Sequence, residues 1–200
     1  MTTSTTDRGS KMVWVVIAAG IVFIALGVVF AGRFGSDPTT SNSPLMFKQA
    51  PSESIDLMDG SGAVSVADFK GDIVVVNFWA SWCLGCRTEH DALTRAANDY
   101  ADFGTTFLAV NYQDTTGGAE SFLDELGMSQ ETIYAVDEGS ETAFEWGVLG
   151  LPETFFVDRN GVIVAKVSGP ITYGLLAETI DAIIVGESVG DISTGEVENR

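Results

Sequence analysis

The 200-residue chain carries 28 acidic side chains against 10 Lys and Arg, a formal net charge of −18 at pH 7. A surface this acidic repels phosphate backbones, which argues against nucleic-acid binding and for a solvated acidic surface or, more sharply, for docking of a basic partner. The length suits one domain with an appendage, and much of the apolar content lies in one N-terminal block.

Residues 1–11, rich in Thr and Ser, read as a disordered cytoplasmic tail. Met12 to Ala31 holds no charged residue and is long enough to cross a bilayer core of roughly 30 Å as a helix. Arg8 and Lys11 precede it and Arg33 follows, so the positive-inside rule places the N-terminus in the cytoplasm and the bulk of the chain outside. An uncleaved, single-pass anchor in the cell membrane is expected. A cleaved signal peptide ending at Val29-Phe30-Ala31 is the alternative. Residues 32–44, with Gly, Ser, Thr, Asn, Asp and Pro, have the composition of a linker.

A folded domain is expected over 45–186. Ser54 to Met58 and Ala63 to Val66 flank Asp59-Gly60-Ser61-Gly62 and predict a β-hairpin. Residues 67–71 connect it to Ile73 to Phe78, an apolar run that predicts a buried central strand. A helix follows from Cys83 to about Tyr100, with Leu93, Ala96, Ala97 and Tyr100 at helical spacing. Thr105 to Tyr112 predicts a second buried strand, Gln113 to Gly118 a polar loop, and Ala119 to Leu126 a short helix stopped by Gly127. Ile133 to Val136 predicts a strand and Ser140 to Trp146 a helical turn or two. Phe155 to Val157 and Val162 to Val167 form a second hairpin around Asp158-Arg159-Asn160-Gly161, and Tyr173 to Val185 a closing helix. From Gly186 the chain is polar and acidic, and a frayed tail is expected over 187–200. A parallel strand pair joined to an antiparallel pair makes a mixed sheet with helices on both faces.

Both cysteines lie at the opening of the predicted helix, spaced C-x-x-C in Trp82-Cys83-Leu84-Gly85-Cys86. At a helix N-terminus, unpaired N–H groups and the helix dipole favour the Cys83 thiolate, the species that attacks disulfides. Cys86 lies one turn on, close enough to displace a substrate and close a Cys83–Cys86 disulfide. A bridge across two residues adds little to fold stability and reads as chemistry. Zinc needs about four ligands, and Cys83, Cys86 and His90 supply three at most, so no metal is expected. Covalent haem attachment needs His directly after the second cysteine, where Arg87 stands. No cofactor is expected.

Asn77-Phe78-Trp79-Ala80-Ser81-Trp82-Cys83-x-x-Cys86 resembles the active site of thioredoxin-fold proteins. Cys86-Arg87-Thr88-Glu89-His90, Val110-Asn111-Tyr112 and Gly147-Val148-x-Gly150-x-Pro152-Glu153-Thr154-Phe155 narrow the resemblance to the membrane-anchored thiol-disulfide oxidoreductases of cytochrome c maturation, the DsbE/CcmG type, with ResA and TlpA as relatives. The resemblance spans about 45–185. It implies a thioredoxin-like α/β fold with a mixed central sheet, an N-terminal β-hairpin, a central helix–strand insert and a preceding transmembrane helix.

It also implies a cis bond before Pro152, facing the cysteines, so that Leu151 presents backbone groups to an extended substrate. Glu89 would tune the proton affinity of Cys86, standing in for the buried acid that thioredoxin carries where this chain has Asn77, which would only hydrogen-bond; a solvated first-turn Glu is the plainer reading. Glu153 would shape an acidic substrate rim, or be a surface residue opening a strand. Trp82, Leu84 and Gly85 would meet the substrate, with Trp79 packed beneath the site; His90 reads as a solvated or core-edge helix residue, a proton relay or ligand being the alternative. The Leu84-Gly85 dipeptide departs from relatives that carry proline there, so the redox potential does not carry over. The implied activity is reduction of disulfides in apocytochrome c or its maturation partners, with re-reduction by a membrane electron carrier, in a protein expected to be a monomer. Rivals are an oxidant that inserts disulfides into exported proteins and, on the ligand count, a zinc-binding interaction module. A peroxidase of the same fold needs a different local pattern at its cysteine.

Overall fold

The computed structural model describes residues 8–33 and 43–194. The expected tail at 1–7, most of the linker (34–42) and the last residues, 195–200, lie outside them. The chain divides into an N-terminal unit and a second unit that starts at Asn42. The first holds one continuous helix, α1 (Arg8–Arg33). Among the described residues no helix is long and apolar enough to cross a membrane; the side chains described in α1 are those of 13–27.

The second unit is built on one eight-stranded sheet: β1 (Ile55–Leu57), β2 (Ala63–Val64), β3 (Ile73–Trp79), β4 (Thr105–Tyr112), β5 (Thr132–Asp137), β6 (Glu153–Val157), β7 (Ile163–Ser168) and β8 (Gly190–Ser193), in the spatial order β2-β1-β5-β4-β3-β6-β7-β8. β3 pairs parallel with β4 and antiparallel with β6, and β4 pairs parallel with β5. All seven residues of β3 are buried. Its apolar run does not alternate because both faces of the sheet are covered. Val74, Val76 and Phe78 pack into one core with Phe155, Val157 and Trp146. Ile73 and Val75 pack into the other with Ala96, Ala97, Leu176 and Ile180.

Four helices serve the sheet: α2 (Leu84–Tyr100), α3 (Thr116–Leu126), α4 (Glu141–Glu145) and α5 (Tyr173–Ile184). The Tyr100 hydroxyl of α2 donates to Asp181 of α5 at 3.0 Å. α3 and β5 form the expected insert. α3 starts three residues before the expected Ala119, because the Thr115 hydroxyl caps it by accepting from Gly118 N–H at 3.1 Å; the Gly117-Gly118 pair hides that start. The expected N-terminal hairpin forms between β1 and β2.

One expected element of the chain path fails over the described residues. The frayed tail after Gly186 is interrupted by β8, which pairs parallel with β7. Asp191 in β8 accepts the Ser43 backbone N–H at 3.1 Å. β8 is an edge strand, and an edge tolerates the polar residues that made this stretch read as a tail.

Truncating Leu176, fully buried on α5, to Ala is expected to cost about 2–5 kcal/mol in urea unfolding. Truncating the exposed Phe144 to Ala is expected to stay within about 0.5 kcal/mol.

Candidate active site

β3 runs out at Trp79, and Ala80 to Cys83 turn the chain into α2. Cys83 N–H donates to the Ala80 carbonyl at 3.2 Å, closing the turn. Cys83 is the N-cap of α2 in an extended conformation, and its Sγ accepts the Cys86 backbone N–H at 3.0 Å. The sulfur thus occupies the place where a capping oxygen usually satisfies a free helix N–H. Cys83 and Cys86 are joined as a disulfide, with Cα atoms 5.3 Å apart. Both residues are buried, while Leu84 between them projects outward, 67% exposed. On reduction the same N–H groups and the helix dipole favour the Cys83 thiolate.

The Leu151–Pro152 bond is cis, as expected. Pro152 lies against Gly85: a Cβ on Gly85 would come within 2.9 Å of Pro152 Cδ and 3.0 Å of Pro170 Cγ. The glycine between the cysteines therefore permits close approach of α2 to the proline loop. The Leu151 side chain is buried, so only its backbone fits the expected substrate role.

Glu89 is 1% exposed, which rules out a solvated first-turn carboxylate. Its Oε1 accepts from Asn77 Nδ2 at 2.8 Å and its Oε2 from Ile171 N–H at 2.9 Å. Asn77 Nδ2 also donates to Thr154 Oγ1 at 3.0 Å, so Asn77 serves as a hydrogen-bonding partner. Burial raises the Glu89 pKa to about 8; the two donors, which favour the charged form, offset this only in part.

Glu153 does not form an acidic rim. It is 1% exposed and pairs with buried Lys166, Nζ to Oε2, at 3.1 Å, an ion pair whose angles fall short of a hydrogen bond. A carboxylate facing the interior of the sheet needs a counter-charge, and Lys166 supplies it. Burial pushes the Glu153 pKa up, and Lys166 pulls it back only in part. The signal for this pair was a single Lys in the apolar run Ile163 to Val167.

Trp79 is buried and stacks on Phe122, ring centroids 4.8 Å apart. Trp82 is half-buried, and its Nε1–H donates to the Gln113 carbonyl at 2.8 Å. His90 Nε2 lies 2.7 Å from the Gly127 carbonyl, which can only accept, so that nitrogen carries the proton. With His90 tied to the end of α3 and the cysteines bonded to each other, the three side chains of the zinc reading are engaged elsewhere.

The model of the AhpC/TSA family matches residues 47–166. The chain belongs to the AhpC/TSA family. Its relatives include the thiol:disulfide interchange protein HelX of Rhodobacter capsulatus, 36% identical over 169 residues that cover 82% of this chain and 93% of HelX. The thiol:disulfide interchange protein DsbE of Allochromatium vinosum is also 36% identical, over 82% of this chain and 88% of its own length. Among solved structures, a DsbE from Chlorobium tepidum superposes with a TM-score of 0.62 at 30% identity, covering 68% of this chain and 95% of that one. The AhpC/TSA member described here has the thioredoxin-like α/β fold, and with its paired cysteines it is a thiol-disulfide oxidoreductase.

Glu89 sets a sign for the pH dependence of stability. Its folded pKa, about 8, lies above the ordinary 4.5, so the folded state holds a proton that the unfolded state releases between those values. Its contribution to stability is complete below about pH 4.5 and is lost as pH rises through about 8. Urea unfolding of the oxidised protein and of Glu89→Gln, from pH 5 to 9, is expected to show this downward slope in the first and its loss in the second.

Proposed function

We propose that the protein is a reductant of disulfides in exported partners, apocytochrome c or its maturation proteins, held at the outer face of the cell membrane by an uncleaved N-terminal anchor. The observation that carries the chemistry is the Cys83–Cys86 disulfide at the mouth of α2, set against a cis-proline.

In the forward step the Cys83 thiolate attacks one sulfur of the substrate disulfide, and the other substrate sulfur leaves as a thiolate. Cys86 then gives its proton to the Glu89 carboxylate and attacks Cys83 Sγ. The Cys83–Cys86 disulfide closes and the second substrate sulfur is released. The substrate gains two electrons and the protein loses them; the two released thiolates take up protons from solvent, and Glu89 returns the Cys86 proton to solvent. Glu89 lies one helical turn from Cys86 and acts as base in its ionised form; with a pKa near 8 that form is the minority at pH 7 and grows as pH rises. A membrane electron carrier would return the two electrons.

Anchoring is supported by the uncharged run Met12 to Ala31 and by Arg8 and Lys11 before it. The cytochrome c assignment is supported by the match to the DsbE and HelX relatives along most of their lengths.

The reduction potential of the Cys83–Cys86 couple, read by equilibration with a glutathione or dithiothreitol buffer, tests the direction of electron flow. A potential well below about −200 mV is expected; one near −120 mV, as for a strong oxidant, would make the protein a disulfide donor instead.

A further inference from the structure

β3 and β4 are parallel neighbours, so the segments that follow them leave the sheet on the same edge. The segment after β3 carries Ser81, Trp82 and Cys83. The segment after β4 carries Gln113, Asp114 and Thr115. Asp114 joins the two. Its Oδ2 accepts Ser81 N–H at 2.5 Å and its Oδ1 accepts the Ser81 hydroxyl at 2.8 Å. Asn111 Nδ2 donates to Oδ2 at 3.1 Å, and Thr115 N–H donates to Oδ1 at 2.8 Å. Four donors on one half-buried carboxylate fix its orientation from two elements at once.

Two further features point to the same spot. Gln113 sits in the left-handed region, φ +50°, a conformation unusual for a residue other than Gly, Asn or Asp. Its carbonyl is the acceptor for Trp82 Nε1–H. Local backbone strain persists where surrounding structure over-determines it. Gly118 in the first turn of α3 leaves room for the junction: a Cβ there would come within 2.7 Å of Ser81 Oγ and 2.9 Å of Asp114 Oδ1.

We propose that Asp114 is a positioning residue for thiol exchange. Its carboxylate locks the Ser81 turn, the adjoining Gln113 holds the Trp82 ring, and together they set how Cys83 meets an incoming disulfide. Asp114 acts through Ser81 and touches no reacting atom. The proposal rests on the thiol-exchange reading above.

The test uses reduced protein and, as probe, a disulfide-bonded Cys-x-x-Cys-His peptide. In Asp114→Asn one oxygen becomes an NH2 group that faces N–H donors, so the clasp opens. The exchange rate constant is expected to fall by about tenfold to a hundredfold, the range that a misplacement of about 1 Å brings. The Ser81 amide and Trp82 indole proton resonances are expected to shift together. Ser81→Ala, which removes only the hydroxyl contact, is expected to slow exchange less and serves if Asp114→Asn does not fold. Leu176→Ala controls for stability: it is expected to unfold more easily yet exchange at the parent rate while folded. Folded Asp114→Asn, or in its place folded Ser81→Ala, exchanging at the parent rate would overturn the proposal, as would slowing no greater than the unfolded fraction explains. Failure of the parent protein itself to exchange with the peptide would instead overturn the reading on which the proposal rests.

Discussion

A single methyl group does not fit between the helix mouth and the proline loop, and the rest of the site depends on that closeness. Gly85 meets the rings of Pro152 and Pro170 where any other residue would place a Cβ. The contact draws the N-terminus of α2 onto the loop between α4 and β6, so that Cys83 caps the helix beside a cis peptide bond. The helix N–H groups, the disulfide and the backbone of the cis-proline loop meet at one edge of the sheet because β3 and β6 are antiparallel neighbours there.

β6 then supplies polar groups to both faces of the sheet through two adjacent residues. Successive residues of a strand point to opposite faces. Thr154 lies across from Asn77 and joins the Asn77–Glu89 cluster beneath α2. Glu153 lies in the other core with Lys166, whose Nζ also stands 5.1 Å from the Phe155 ring centroid. The two carboxylates differ in one respect that matters for chemistry. Glu153 has a cation beside it and serves as structure, since breaking a buried pair leaves an uncompensated charge. Glu89 has hydrogen-bond donors and no cation among its described partners, so its proton affinity rises into the range where thiols titrate.

The fold was legible in the sequence wherever burial was two-sided or periodicity strong. The run Ile73 to Phe78, the turn Asp158-Arg159-Asn160-Gly161 between two apolar runs and the spacing in 173–185 each mark an element that forms. β8 was not legible, because an edge strand is defined by its neighbour β7 and not by its own polar composition. At the site, Cys83, Cys86 and Pro152 were legible from spacing and resemblance. Glu89 was legible as a residue near Cys86, but its burial depends on Asn77, Thr154 and Ile171 converging from β3, β6 and the segment before α5, a three-way meeting that no local pattern announces. Glu153 was misread because an acidic residue directly after the cis-proline looks exposed until the register brings Lys166 close enough to neutralise it. Asp114 lay in a stretch that read as polar loop, and its partner Ser81 is 33 residues away.

The central claim is that one sulfur pair cycles between disulfide and dithiol while the domain stays folded, with Cys83 as the sulfur that faces the substrate. Timed alkylation of the reduced, folded protein, followed by peptide mass analysis, tests it most directly. The account predicts that Cys83 is labelled well before Cys86 and that reoxidation removes both sites from reaction. Labelling of the two cysteines at equal rates, or only after denaturant has unfolded the domain, would contradict it.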